Sequence, residues 1–210
     1  MNAAENPFRV SRIKALRHRG PSHDELLRRL QEFNGRGALV GPKGAGKTTL
    51  MLELAERLRR DGWKTPLIRF KEGWQKDGAA LATVFDEALL SENPARDHQA
   101  DALWSSGDGE RVVWFIDGAE QLGFFDWRHV LSRTRDADGL VITTHFGGRL
   151  RPLLDCSTSP ELLRGLFAEL LALQVPEETP SLDQCRTLWE HHRGNLREVF
   201  REQFDLWSRR

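Results

Sequence analysis

Tyrosine is absent from the 210 residues, cysteine occurs only twice, and the charges of the two signs cancel at 31 each. Each shortage excludes something. Two cysteines, Cys156 and Cys185, with no secretory segment ahead of them, point to buried free thiols rather than a disulfide framework. A net charge of zero removes any bulk pull toward nucleic acid or acidic lipid. No apolar run approaches the length that crosses a bilayer, so no membrane span is expected. The opening "MNAAENPFRV" carries an acid and no apolar core, which does not read as a secretory signal, and a cytoplasmic protein is expected. Internal repeats and low-complexity tracts are also lacking. Charged residues at 30% and hydrophobic ones at 39% fit a soluble domain of ordinary size with room for a small appendage.

The chain alternates between apolar strand-like runs and helical periods. "SHDELLRRLQEF" reads as a helix with Ser22 as N-cap and Glu25 three residues on, a capping box. "GALV" is a short strand. "TTLMLELAERLRR" sets Leu50, Leu54 and Leu58 at helical spacing. "TPLIRF" is a second strand opened by Pro66, and "GAALATVFDEALL" a second helix after the turn. "VVWFID" is an unbroken hydrophobic run, as a parallel strand covered on both faces requires. "DWRHVLSRTRD" is helical, "GLVITTH" is a fourth strand and "LLDCS" a short fifth. After Ser157 the text is helical: "SPELLRGLFAELLAL", then "SLDQCRTLWEHHRGNLREVFREQFDLW". Strand–helix alternation predicts an α/β domain with a mainly parallel five-stranded sheet between helical layers. The expected organisation is a basic arm and helix over 1–36, a core over 37–157 and a small helical lid over 158–210. Trp114 is expected in the core, and Trp189 and Trp207 are expected to pack rather than bind.

The most specific pattern is "GPKGAGKTT". Gly41 to Thr48 fits G-x-x-x-x-G-K-[ST] between a strand and a helix, the context this phosphate-binding loop needs. Glycines permit left-handed backbone, so successive N–H groups can face one anion, and the following helix adds the positive end of its dipole. The loop residues Gly41, Pro42, Lys43, Gly44, Ala45, Gly46, Lys47, Thr48 and Thr49 are the candidate nucleotide-binding set. Lys47 would reach the β- and γ-phosphates, and the Thr48 hydroxyl would hold Mg²⁺. Lys43 is read as a solvated side chain or a phosphate contact. Asp117 closes a strand downstream of the loop and is the candidate second metal residue.

Loop, strand-end acid and a polar strand end resemble the P-loop ATPases that carry an additional strand between the loop strand and the Asp strand. That resemblance implies an α/β/α P-loop NTPase fold. In that division a glutamate commonly follows the Asp directly and polarises the attacking water. Here Gly118 takes that place and Glu120 comes three residues after Asp117, so Glu120 is either a displaced water-activating acid or a first-turn acid that complements a helix dipole. "LVITTH" ends on Thr143, Thr144 and His145. The strand end resembles the polar sensor position of AAA+ ATPases, which implies a water-orienting role for Thr144 or Thr143. The signal-transduction ATPases of the NACHT type often show Thr-Thr-Arg there, with His145 standing at the Arg position. ABC transporter ATPases place a γ-phosphate-contacting His at a similar strand end, but their Leu-Ser-Gly-Gly-Gln signature is missing. "HRGNLREVF" resembles the Gly-Asn-x-Arg of AAA+ lids, which implies that Arg197 folds back onto the nucleotide. The resemblance covers roughly Gly35 to the end. The segment from Phe146 to Pro152 is too short for the helix that carries an arginine finger in ring-forming members, leaving Arg149 or Arg151 as candidates in trans.

Two further features sit outside those motifs. The arm "RVSRIKALRHRG" has five Lys or Arg from Arg9 to Arg19 and no acid, read as a solvated basic segment or a phosphate contact. His191 and His192 are adjacent and cannot share a helix face, and no cysteine stands at ligand spacing, so no zinc site is expected. The functional expectation is an ATP-binding, Mg²⁺-dependent ATPase that serves as a switch or motor module for a protein, a second copy of itself or DNA. Small AAA+-like ATPases that assist transposition have this size and order of motifs. The alternatives are a small-molecule kinase and a nucleotide-binding scaffold with little turnover. ATP over GTP follows from the resemblance and from the absence of an Asn-Lys-x-Asp guanine motif.

Overall fold

A computed structural model describes residues 6–74, 78–91, 111–172 and 174–209; the first five residues of the opening stretch lie outside them. Among the described residues five apolar runs form strands: Arg36–Val40 (β1), Leu67–Arg69 (β2), Val113–Asp117 (β3), Gly139–Thr144 (β4) and Pro152–Asp155 (β5). All pairings are parallel, in the order β2-β3-β4-β1-β5. β4 therefore lies between β1 and β3, the added strand that the motif order implies. β4 is buried over its whole length and β3 up to its last residue, which is why both read as continuous apolar runs.

The helices are Val10–Ala15 (α1), His23–Glu32 (α2), Lys47–Arg60 (α3), Gly78–Leu90 (α4), Phe124–Arg133 (α5), Pro160–Leu171 (α6), Leu182–His191 (α7) and Leu196–Ser208 (α8). The helix starts follow capping chemistry. Ser22 accepts from the Glu25 N–H at 3.2 Å, but the reciprocal half of the expected box is missing, because Glu25 pairs with Arg29 one turn on. α7 has the full box, with Ser181 and Gln184 each accepting from the other's backbone N–H.

The chain divides into two units, each with its own core. One comprises 20–41 and 50–155 and holds the sheet with α2, α4, α5 and most of α3. Its core includes Ile68, Phe70, Phe85, Trp114, Ile116, Val130 and Ile142. The Trp114 and Phe85 rings lie 4.7 Å apart. The other unit comprises 1–19, 42–49 and 156–210. Its core joins Phe8 and Leu16 of the arm to Leu163, Phe167, Val199, Phe200 and Trp207 of the C-terminal helices. Phe8 meets Phe167 edge-on at 5.5 Å and stacks near Phe200 at 6.3 Å. Full burial of one such side chain contributes about 1.5–3 kcal/mol, so Phe8 anchors the arm.

That anchoring changes the reading of the basic segment. Arg12 donates to the Leu170 carbonyl at 3.2 Å and to Gln174 at 3.1 Å. Arg19 donates to the Gly165 carbonyl and pairs with Glu169 at 2.7 Å. Both cations are engaged by α6 and the residues after it. Trp207 is buried, and Trp189 donates from its indole N–H to the Thr158 hydroxyl at 2.9 Å, so both pack as expected. Cys156 and Cys185 are both buried, Cys185 in the core of the second unit.

Candidate functional site

The expected site residues divide between the two units. In the sheet unit, parallel strands bring their carboxyl ends to one edge. Val40 at the end of β1 registers with Thr144 at the end of β4, and the Gly41 N–H donates to the Thr144 carbonyl at 3.2 Å. The loop 42–49 thus leaves β1 from the carboxyl edge of the sheet, the edge at which open α/β sheets bind ligands.

Asp117 ends β3 on the same edge, about one-fifth exposed. Its Oδ1 accepts from the Thr143 hydroxyl at 2.7 Å, and that hydroxyl accepts in turn from the Gly118 N–H at 2.9 Å. Arg69 stands 3.8 Å from Oδ2. Oδ1 is thus held by a hydroxyl and Oδ2 faces a cation. The signal for this was strand register: Ile116 pairs with Ile142, so the next residues, Asp117 and Thr143, stand side by side. Thr144 is buried too, but its hydroxyl donates to the Phe146 carbonyl at 3.0 Å. Of the two threonines weighed as the polar sensor, Thr143 holds the acid and Thr144 shapes the turn after β4.

Gly118 has φ +83°, and a Cβ there would lie 2.4 Å from the Phe70 carbonyl oxygen. No side chain fits. A glutamate directly after Asp117 is excluded by this turn, and the next acid along the chain is Glu120. Glu120 lies in a single 3-10 turn, Ala119–Gln121, rather than in the following helix, which starts at Phe124. Its Oε1 is 3.5 Å from His145 Nε2. Its Oε2 is buried without a hydrogen-bond partner among the described residues. A carboxylate oxygen in that condition costs about 1–3 kcal/mol or more of unmet hydration, and such atoms collect at functional sites. Arg149, whose guanidinium is lowered from its usual range by burial, feels the Glu120 charge as an opposing, raising influence. It donates to the Leu122 carbonyl at 2.5 Å and lies over the Trp127 ring. Arg151 lies over Phe33 at 3.9 Å. Both arginines considered as trans-acting are engaged within their own unit.

In the other unit the loop forms a cradle. Gly44 and Gly46 both have φ +81°, and α3 begins at Lys47. Pro42 and Lys43 are exposed, Ala45 is buried, and Thr48 and Thr49 are half-buried. Exposure of Lys43 favours the solvated reading of that side chain. Lys47 is buried and donates to the Pro42 carbonyl at 2.8 Å, so the ammonium sits across the mouth of its own loop. A Cβ on Gly44 would fall 2.0 Å from the Asn195 Oδ1, so Asn195 occupies the space a side chain would need. His18 Nδ1 approaches the Gly46 position at 4.0 Å. Asn195 caps α8 while touching the loop, a second role that its place in Gly-Asn-x-Arg did not reveal. Gly194 is left-handed, and Thr158 donates to its carbonyl at 2.8 Å. Arg197 is exposed in the first turn of α8.

His191 and His192 also depart from expectation. His191 is the last residue of α7 and His192 leaves the helix with φ −92°, ψ 10°, so the rule against adjacent residues sharing a face no longer applies. Their rings meet edge-to-face with centroids 4.8 Å apart.

The Thr48 hydroxyl in one unit and the Asp117 carboxylate in the other are each oxygen donors of the kind Mg²⁺ takes. No family model matches the sequence, and no curated protein matches it. Among solved structures the chain is similar to the crystal structure of Cdc6p from Pyrobaculum aerophilum, at 15% identity and a TM-score of 0.57, over 90% of this chain. The chain spans 58% of the length of that one. The likeness carries the fold alone: an α/β arrangement around an all-parallel five-stranded sheet.

Proposed function

We propose that this chain binds ATP with Mg²⁺ and hydrolyses it, as a switch or motor module whose state is read by a protein partner or a second copy. The observation that most supports this is the G-P-K-G-A-G-K-T loop with Gly44 and Gly46 left-handed, following a parallel strand and opening a helix. The backbone N–H groups of residues 44–48 would take the phosphates, and Lys47 would exchange the Pro42 carbonyl for the β- and γ-phosphate oxygens. Thr48 and Asp117 would hold the Mg²⁺, which when bound neutralises charge on the transferring phosphoryl group.

In this reading Thr143 orients the Asp117 carboxylate for the metal or a metal-bound water. Glu120 is the candidate acceptor of the water proton, through the carboxylate whose Oε2 has no hydrogen-bond partner among the described residues, with His145 on the other oxygen. Arg197 and Asn195 belong to a helical lid, and Asn195 touches the loop at Gly44. Two of the arm's arginines are engaged by α6 and its successor turn, which favours a protein partner over DNA. Turnover measured with Mg²⁺-ATP tests the reading, with Lys47→Ala as the blank. Tight nucleotide retention at the blank rate of hydrolysis would leave a nucleotide-holding scaffold instead.

A further inference from the structure

We propose that His191, His192 and Glu202 form a binding site for a divalent transition-metal ion of the zinc class, joining the end of α7 to the middle of α8. The three side chains offer one donor atom each, and these atoms all lie within 4.8 Å of one another. His192 Nε2 and Glu202 Oε2 are already 2.5 Å apart. The backbone explains the convergence. α7 stops at His191, and the left-handed residues Arg193 (φ 51°) and Gly194 (φ 75°) turn the chain into α8. α8 then carries Glu202 back alongside the two imidazoles.

The distances suit an ion with short bonds. Ligands around a tetrahedral zinc at about 2.0–2.1 Å stand about 3.4 Å apart. The His192–Glu202 pair opens by about 1 Å and the widest separation closes by about 1.5 Å to reach that geometry. His191 is exposed and Glu202 partly so, and side-chain rotation supplies such shifts. Two imidazole nitrogens with one carboxylate form a borderline donor set, which selects zinc, cobalt or nickel over Mg²⁺ and Ca²⁺, since those prefer all-oxygen shells. Glu198 and Asp205 line the same hollow as His192 and Glu202 and add negative potential; Arg201 and Arg209, which line it too, offset that potential. Water fills the fourth position, as in three-ligand zinc sites. The His192–Glu202 pair alone leaves the edge-on placement of the His191 ring without a role.

The test uses the tag-free full chain, stripped with chelator and free of nucleotide, so its outcome is independent of ATP turnover. ZnCl₂ alone is titrated by calorimetry, and CoCl₂ alone is followed by its visible absorption. The expected result is one ion per chain with micromolar affinity. His191→Ala and Glu202→Gln, each checked for fold by circular dichroism, should weaken binding by at least the ~10–100-fold that loss of an outer-shell partner costs. His191 is exposed, so its variant leaves the core intact. Absence of one-to-one binding below the order of 100 µM, or wild-type affinity in both variants, overturns the proposal.

Discussion

The ideal Cβ position of Gly118 lies 2.4 Å from the carbonyl oxygen of Phe70, on a backbone with φ +83°. This contact forbids any side chain directly after Asp117; the next acid, Glu120, lies in the one-turn 3-10 segment.

Gly118→Ala is therefore expected to destabilise the fold, by about 1–3 kcal/mol from the left-handed backbone plus the cost of the clash with a carbonyl. Gly118→Glu, which would restore the acid at the usual place, should be at least as damaging and should not raise turnover. Urea unfolding followed by circular dichroism measures both.

Thr143 links Asp117 to the Gly118 N–H through one hydroxyl. Thr143→Val removes a donor and an acceptor together and should cost about 1–3 kcal/mol of stability, with a fall in turnover. Thr143→Ser keeps the hydroxyl and should recover most of both. A Val variant with wild-type turnover would remove Thr143 from the metal's support.

How far the sequence foretold this edge depends on the range of the interaction. The glycine-rich loop and β3 are legible because their signals are local: a glycine pattern between strand and helix, and an unbroken apolar run ending on an acid. The fold class followed from the same alternation. The sequence leaves Thr143 and Thr144 as alternatives because strand register, which decides which hydroxyl meets Asp117, comes from a partner strand 26 residues away. For the arm the sequence leaves solvated and phosphate-bound as alternatives; the partners that Arg12 and Arg19 meet, Leu170, Gln174 and Glu169, lie some 150 residues downstream, beyond the reach of a local pattern. His191 and His192 were set apart by a helical rule that fails where α7 ends.

Asn195 and Gly44 supply a steric test within one unit. Gly44→Ala should weaken nucleotide binding sharply, because the added carbon meets Asn195 Oδ1 at 2.0 Å and Asn195 Cα at 3.1 Å. Adding Asn195→Gly removes the side chain and should restore only part of the loss, since the left-handed backbone penalty of about 1 kcal/mol remains. A double-mutant cycle on nucleotide affinity reads the coupling; strict additivity would contradict the contact.

Burial raises the Cys185 thiol above its ordinary value of 9.0, with Arg164 pulling weakly the other way. A group whose folded value is raised keeps its proton longer in the folded state than in the unfolded one. Its contribution is complete below the unfolded value and is lost as pH rises from there through the folded value. Stability should thus decline above about pH 9, and Cys185→Ala should flatten that part of the curve. Equal alkaline slopes in both proteins would contradict the assignment.

ATP turnover by the purified chain, with Lys47→Ala as blank and Glu120→Gln beside it, tests the central claim most directly. The account predicts turnover above the blank, and a fall on the order of 10²–10⁴ in Glu120→Gln with ATP binding retained, since that acid takes the water proton. Turnover unchanged by Glu120→Gln, or a wild type no faster than the blank, would contradict it.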